Sequence, residues 1–247
     1  MTATATARRW LPFGVNGTGT RLFCFPHAGA SAVVYNGWRE YADAGLSICP
    51  VQPPGRAERG RETLHRDAEA LADDVVAGLG DEFTGNYALF GHSVGALVAY
   101  LVARRLAERG RDLPRHLFVS GRAAPQLPDR RRQLRALPVA ELTAELRALG
   151  GLPEALLRDR SLLEMFLPLL RADLALNETY WHRPADPLPF GLTVFGGHGD
   201  PRADHLELAA WQDLAEDSEL VTYPGGHFYL DRRAPELLAV VRRRLAG

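Results

Sequence analysis

Gly91-His92-Ser93-Val94-Gly95 is a Gly-x-Ser-x-Gly run set between an apolar stretch, Tyr87-Ala88-Leu89-Phe90, and an Ala/Leu-rich stretch that begins at Val94. A serine on a sharp strand-to-helix turn is held in a strained backbone conformation with its hydroxyl exposed, and only neighbours without side chains fit the packing around it. Ser93 is therefore the candidate nucleophile; a glycine-rich turn with an N-capping serine is the plainer alternative. A serine hydroxyl is a weak nucleophile, so a base must take its proton and an acid must orient that base. Of the eight histidines, His92 belongs to the turn itself, and His65 and His116 flank a predicted helix and strand. His182 falls in a long helical stretch, and His198 and His205 lie near the penultimate strand. His227 follows the last apolar run in Pro224-Gly225-Gly226-His227-Phe228, where two glycines let the loop turn back over a sheet edge. It is the candidate general base, with a buried structural histidine as the alternative.

The acid is expected at the end of one of two late strands. Ser120-Gly121-Arg122 offers no carboxylate before Asp129, whereas Gly196-Gly197-His198-Gly199-Asp200-Pro201 is a tight turn ending in Asp200. Asp200 is the choice, Asp204 its main rival and Asp231 a weaker one. Acyl transfer also needs two N–H groups for the developing oxyanion. One is expected from the backbone of Val94 at a helix N-terminus, and the other from Ala28 in the loop Phe25-Pro26-His27-Ala28-Gly29-Ala30.

These residues need elements to hold them. Short apolar runs ending in Gly, Pro or Ser predict strands at Arg21–Phe25, Leu46–Val51, Tyr87–Phe90, His116–Ser120, Leu192–Phe195 and Glu219–Tyr223. Helical patterns lie between or after them at Arg66–Leu79, Val94–Arg109 and Ala234–Leu245, the last with Pro235 in its first turn. Alternation of this kind predicts a mostly parallel sheet flanked by helices. The 69 residues from Arg122 to Phe190 exceed what a crossover needs. They predict an inserted helical layer over the sheet's edge. One helix is expected over Pro138–Leu149 and a second from a capping box at Ser161-Leu162-Leu163-Glu164, with part of the apolar surface of Leu162–Leu170 lining a pocket. A plain second structural layer is the alternative. Arg130-Arg131-Arg132 reads as a solvated helix start or loop.

Composition removes several other chemistries. The 247 residues sum to a charge of −1 with 46% hydrophobic and 24% charged residues, as expected of a globular domain without a nucleic-acid surface. All 29 basic residues are arginine, so Schiff bases, phosphate-loop lysines and Ser-Lys dyads are excluded. Cys24 and Cys49 cannot build a disulfide framework and read as buried filler in a reducing compartment. Arg8-Arg9 before Trp10-Leu11 resembles a twin-arginine signal, but Gly14-Val15-Asn16-Gly17-Thr18-Gly19 follows where an apolar stretch would be required. A flexible leader, no membrane span and a cytoplasmic location are expected.

The order Ser93, Asp200, His227 is that of α/β-hydrolases. The chain resembles the type II thioesterases of polyketide and nonribosomal peptide synthetases. The segments Phe23-Cys24-Phe25-Pro26-His27-Ala28-Gly29, Pro54-Gly55-Arg56, Gly91-His92-Ser93, Leu149-Gly150-Gly151, Leu170-Arg171-Ala172-Asp173 and Gly225-Gly226-His227-Phe228 carry the likeness. It departs from the family pattern where Val94, Ala30 and Pro53 replace a frequent methionine, glycine and aromatic. The resemblance implies an α/β-hydrolase fold with core 20–124 and 190–247 and a mobile helical lid at about 125–189. It also implies a Ser93–His227–Asp200 triad that removes stalled or misprimed acyl groups from phosphopantetheine arms. The expected partners are acyl or peptidyl carrier proteins, engaged transiently by a monomer, with no cofactor and no metal. A small-molecule carboxylesterase or acyl-CoA thioesterase, and a non-catalytic binding protein on the same scaffold, are the competing readings. Arg56 and Asp173 read as ion-paired structural residues.

Overall fold

The structure is a computed structural model and describes residues 5–15, 19–129 and 131–246. The glycine-rich run is thus described only at Gly14, Val15 and Gly19, and Arg130 of the arginine run lies outside the described residues. Six strands, β1 (Thr20–Phe25), β2 (Leu46–Pro50), β3 (Tyr87–His92), β4 (His116–Ser120), β5 (Gly191–Gly197) and β6 (Ser218–Tyr223), form one sheet in the order β2-β1-β3-β4-β5-β6. Every pairing is parallel. The chain runs outward from β1 to β2 and then returns to the other side of β1 with β3. The carboxyl ends of β1 and β3 therefore flank the point where strand order reverses, the place at which open α/β sheets bind ligands.

Strand residues alternate between the two sheet faces, and both faces are covered. Phe23 and Phe25 pack with α1 (Ala5–Trp10), α2 (Ala68–Leu79) and α3 (Val94–Glu108) on one side. Leu22 and Cys24 pack on the other with Tyr35 and Trp38 of the 3-10 segment Ala32–Tyr41 and with the C-terminal helix, residues 230–245. Between β4 and β5 the chain forms α4 (Val139–Leu149), α5 (Glu154–Arg158) and α6 (Arg160–Glu178). Leu134, Leu142, Leu146, Leu156, Leu163 and Leu167 give this insert an apolar core of its own. The short helix α7 (His205–Ala209) follows β5, and α8 (Leu230–Leu245) closes the chain.

Three boundaries differ from the sequence reading. The N-terminal segment is not a leader from residue 5 onward: α1 places Ala7, Trp10 and Leu11 on one buried stripe, and Arg59 stacks 4.0 Å above the Trp10 ring. Helix α6 begins one residue before Ser161, and its cap is Asp159, whose carboxylate accepts the Leu162 N–H at 3.1 Å. Helix α8 starts four residues before Ala234, because non-helical backbone at Arg233 joins a short N-terminal turn to the Pro235-led helix. Both cysteines are buried free thiols; burial pushes Cys24 up and Cys49 up to about 12, so they are packing residues.

Candidate active site

Ser93 follows β3 and caps α3 at φ 56°, ψ −121°, a region disfavoured for any residue with a Cβ and worth about 1–3 kcal/mol of strain. Its N–H donates to the Ser120 carbonyl at 2.8 Å, and its own carbonyl accepts the Ala96 N–H at 3.0 Å. The flanking glycines are sterically required. A Cβ on Gly91 would lie 2.0 Å from the Gly95 carbonyl oxygen, and one on Gly95 would lie 2.2 Å from that of Phe25. The turn is thereby wedged against the end of β1, and the Ser93 side chain faces a cavity.

That cavity encloses about 960 Å³ including its open mouth, a size suited to a small-molecule chain. Ser93, Val94, Ala28 and His227 all line it. His227 is buried, and its Nδ1 lies 2.8 Å from Oδ2 of the buried Asp200. The other carboxylate oxygen accepts the Arg202 N–H at 2.8 Å, which fixes the plane of the acid. The rivals lie elsewhere. Asp204 caps α7 in a reciprocal capping box with Glu207, and Asp231 is exposed in the first turn of α8.

Two further histidines pack around His227. The His92 ring lies 4.9 Å from it and the His27 ring 6.0 Å from His92, with Phe228 against all three. Burial, then the neighbouring His227, then Arg56 push His27 down to about 4; burial and the two neighbouring imidazoles hold His92 well below the usual histidine range. Both rings are neutral near pH 7, so neither opposes a positive charge forming on His227. His92 Nδ1 lies 2.9 Å from Ser120 Oγ, which lies 2.6 Å from the Tyr229 hydroxyl.

The β1 loop carries the second candidate donor. The Ala28 N–H has no acceptor among the described residues, and the Val94 N–H stands at the first position of α3, where no intrahelical acceptor exists. The next residue is held from the insert. Gly29 N–H donates to Asp173 Oδ2 at 2.7 Å, and Asp173 is bound in a two-pronged pair by Arg56 at 2.7 and 2.8 Å. Arg56 Nη1 also donates to the Ala30 carbonyl at 3.0 Å. A serine, a histidine-carboxylate pair and two free backbone donors on one cavity form a constellation able to do acyl transfer.

The family model of the thioesterase domain matches residues 20–245. The chain belongs to the thioesterase family. It is similar to thioesterase PikA5 of Streptomyces venezuelae, 40% identical over 220 residues that cover 88% of this chain and 78% of that protein. Two solved structures are also close in shape. RedJ, a thioesterase of the prodiginine biosynthetic pathway in Streptomyces coelicolor, superposes with a TM-score of 0.87 at 39% identity, covering 91% of this chain and 90% of that one. The type II thioesterase BorB from the borrelidin biosynthetic cluster gives 0.85 at 34% identity, covering 92% and 93%. The α/β-hydrolase fold read from the sequence is the fold of this thioesterase.

In this thioesterase the insert meets the cavity at other residues than the periodicity of α6 suggested. Of Leu162–Leu170, only Leu170 is a lining residue. Leu162 and Met165 are exposed, Leu163 and Leu167 fill the insert's own core, and Phe166 covers Gly29. The lining comes instead from Leu134, Leu146, Leu149, Leu170 and Leu174, with Asp173, Asn177 and Glu178 at the C-terminal half of α6. Arg56 and Asp173 are ion-paired as expected, but they are not remote: Asp173 lines the cavity and both hold the β1 loop. His27 drew no attention in the sequence because a loop histidine has no spacing signal; only the fold brings it to His92. No helix among the described residues is long and apolar enough to cross a membrane.

Proposed function

We propose that this thioesterase uses Ser93, His227 and Asp200 as a catalytic triad to hydrolyse acyl groups from the phosphopantetheine arms of carrier proteins, an editing role in polyketide or nonribosomal peptide synthesis. The observation that carries the reading is the pairing of a strained serine elbow with the His227–Asp200 couple on one cavity. With Nδ1–H donating to Asp200, His227 Nε2 is left to accept the serine proton. The Ser93 oxygen then forms a bond to the thioester carbonyl carbon. The carbonyl oxygen becomes an oxyanion that the Ala28 and Val94 N–H groups receive. Collapse breaks the C–S bond, and the sulfur leaves as a thiol with the proton held by His227. Water, deprotonated by the same imidazole, cleaves the acyl-serine ester and regenerates the hydroxyl.

No step requires a cofactor or metal. The reading treats the chain as one cytoplasmic domain, with core 20–124 and 190–247. Residues at about 125–189 act as a lid through which a long, thin arm passes while a transiently docked carrier stays outside. The relatives' pathways support this choice of partner. The test is kcat/KM on one acyl group presented on a carrier protein, on coenzyme A and as a p-nitrophenyl ester. Highest efficiency on the carrier is expected; a preference for the simple ester would replace this reading with a small-molecule esterase.

A further inference from the structure

Strand β4 contributes no member of the proposed triad, yet its last residue is bonded to both sides of it. Ser93 follows β3 and His227 follows β6, so the two side chains come from segments that β4 and β5 separate in the sheet. Ser120, at the carboxyl end of β4, is buried and pairs in register with His92 at the end of β3. Its carbonyl accepts the Ser93 N–H at 2.8 Å. Its hydroxyl lies 2.9 Å from Nδ1 of His92, the residue before the nucleophile, and 2.6 Å from the hydroxyl of Tyr229, the second residue after His227. The residue that follows makes room for this: Gly121 has φ 60°, and a Cβ there would lie 2.5 Å from His92 Cε1.

Both ends of this bridge are stiff. The Tyr229 N–H donates to the Gly226 carbonyl at 3.2 Å, so His227 sits inside a turn whose last residue the bridge holds. The Tyr229 ring stacks on Tyr223 of β6, with centroids 5.6 Å apart. His92 and Tyr229 are buried like Ser120, and burial holds the Tyr229 phenol up, so it keeps its proton. In so dry a place, breaking either bond strands a polar group at about 1–3 kcal/mol, which keeps the geometry fixed. Ser120 does not line the cavity, so whatever it does for the reaction it does through its neighbours. We infer that Ser120 is a positioning residue, whose carbonyl and hydroxyl together hold the Ser93 elbow and the His227 turn at the separation that proton transfer between them requires. The inference rests on the triad reading above and adds to it the residue that sets its spacing.

The test is steady-state hydrolysis of the N-acetylcysteamine thioester of butyrate, beside thermal unfolding. Ser120→Ala keeps the backbone anchor of Ser93 and removes both side-chain bonds, while Tyr229→Phe keeps the ring stack and removes one. Each should lower kcat by about tenfold to a hundredfold, the cost of a displacement on the order of 1 Å, with KM within about twofold of wild type. Because both cut the same link, the double variant should lose little more than Ser120→Ala alone, whereas independent effects would multiply. Ser120→Thr restores the hydroxyl and should recover most of kcat. Tyr229→Phe, a change of one oxygen, carries the test if the Ser120 variants do not fold. His227→Ala separates this inference from the reading beneath it: turnover should be almost abolished, and adding Tyr229→Phe should cost nothing further. Wild-type kcat in the folded Tyr229→Phe and Ser120→Ala variants, or losses that multiply in the double variant, would overturn the bridge and leave a structural contact. No hydrolysis by the wild type, or wild-type turnover by His227→Ala, would overturn the triad reading and the bridge with it.

Discussion

The turn at Ser93, the proposed nucleophile, was legible from five letters because its mechanics require them: Ser93 sits at positive φ, and neither Gly91 nor Gly95 has room for a Cβ. His227 was legible for a related reason, two glycines before a loop imidazole. Asp200, the proposed acid, stands at the end of the β5 turn and pairs with His227, whereas Asp204 caps α7. The two substitutions should therefore part sharply. Asp200→Asn is expected to lower kcat by about 10⁴-fold, because His227 loses the partner that fixes its tautomer. Asp204→Asn keeps a capping side chain and should change stability by less than about 1 kcal/mol with kcat near wild type. Steady-state kinetics beside thermal unfolding checks both, and the reverse ranking would move the acid.

At the scale of elements, the sheet and its helices were readable because strand and helix periods differ, whereas contacts between distant segments leave no local pattern. Nothing in Pro54-Gly55-Arg56 or in Leu170-Arg171-Ala172-Asp173 says that the two meet beneath the β1 loop. Their pair joins three elements, so its removal tests coupling as well as stability. Asp173→Leu alone leaves a buried guanidinium unpaired and should cost about 3–5 kcal/mol. Arg56→Met combined with Asp173→Leu should recover much of that loss in urea unfolding, yet kcat should stay depressed, because the Gly29 N–H still lacks its acceptor. Full recovery of kcat in the folded double variant would reduce the pair to a structural contact. The insert gives a second test. Leu170→Phe and Leu174→Phe narrow the cavity and should shift acyl-length preference toward shorter chains, while Met165→Phe, on an exposed position, should not. An unchanged length profile in the folded Leu170 and Leu174 variants would leave the insert a plain second layer.

For the molecule as a whole, buried neutral histidines set the acid limb of stability. His27 and His116 are lowered to about 4 and His92 well below the usual range, each chiefly by burial. The unfolded chain takes up these protons near pH 6.5 and the folded one does not, so stability falls as pH drops from about 6.5 toward 4. Each such histidine contributes a slope of up to about 1.4 kcal/mol per pH unit in that window. Glu178, raised by burial, works in the opposite direction. Urea unfolding at pH 7, 6 and 5 should show the decline; a flat profile would mean that the three rings are solvated. Burial of this kind could not be read from the sequence, where a histidine in a strand or a loop looks the same whether wet or dry. The central claim is that a Ser93-dependent acyl transfer strips thioesters from carrier proteins. Its most direct test is intact-protein mass spectrometry of an acyl-phosphopantetheinyl carrier incubated with wild-type protein or Ser93→Ala. The wild type should return the carrier to its free-thiol mass with release of the acid, and the variant should leave the acyl mass in place. Equal release by both proteins, or an acyl-carrier untouched by the wild type, would contradict the account.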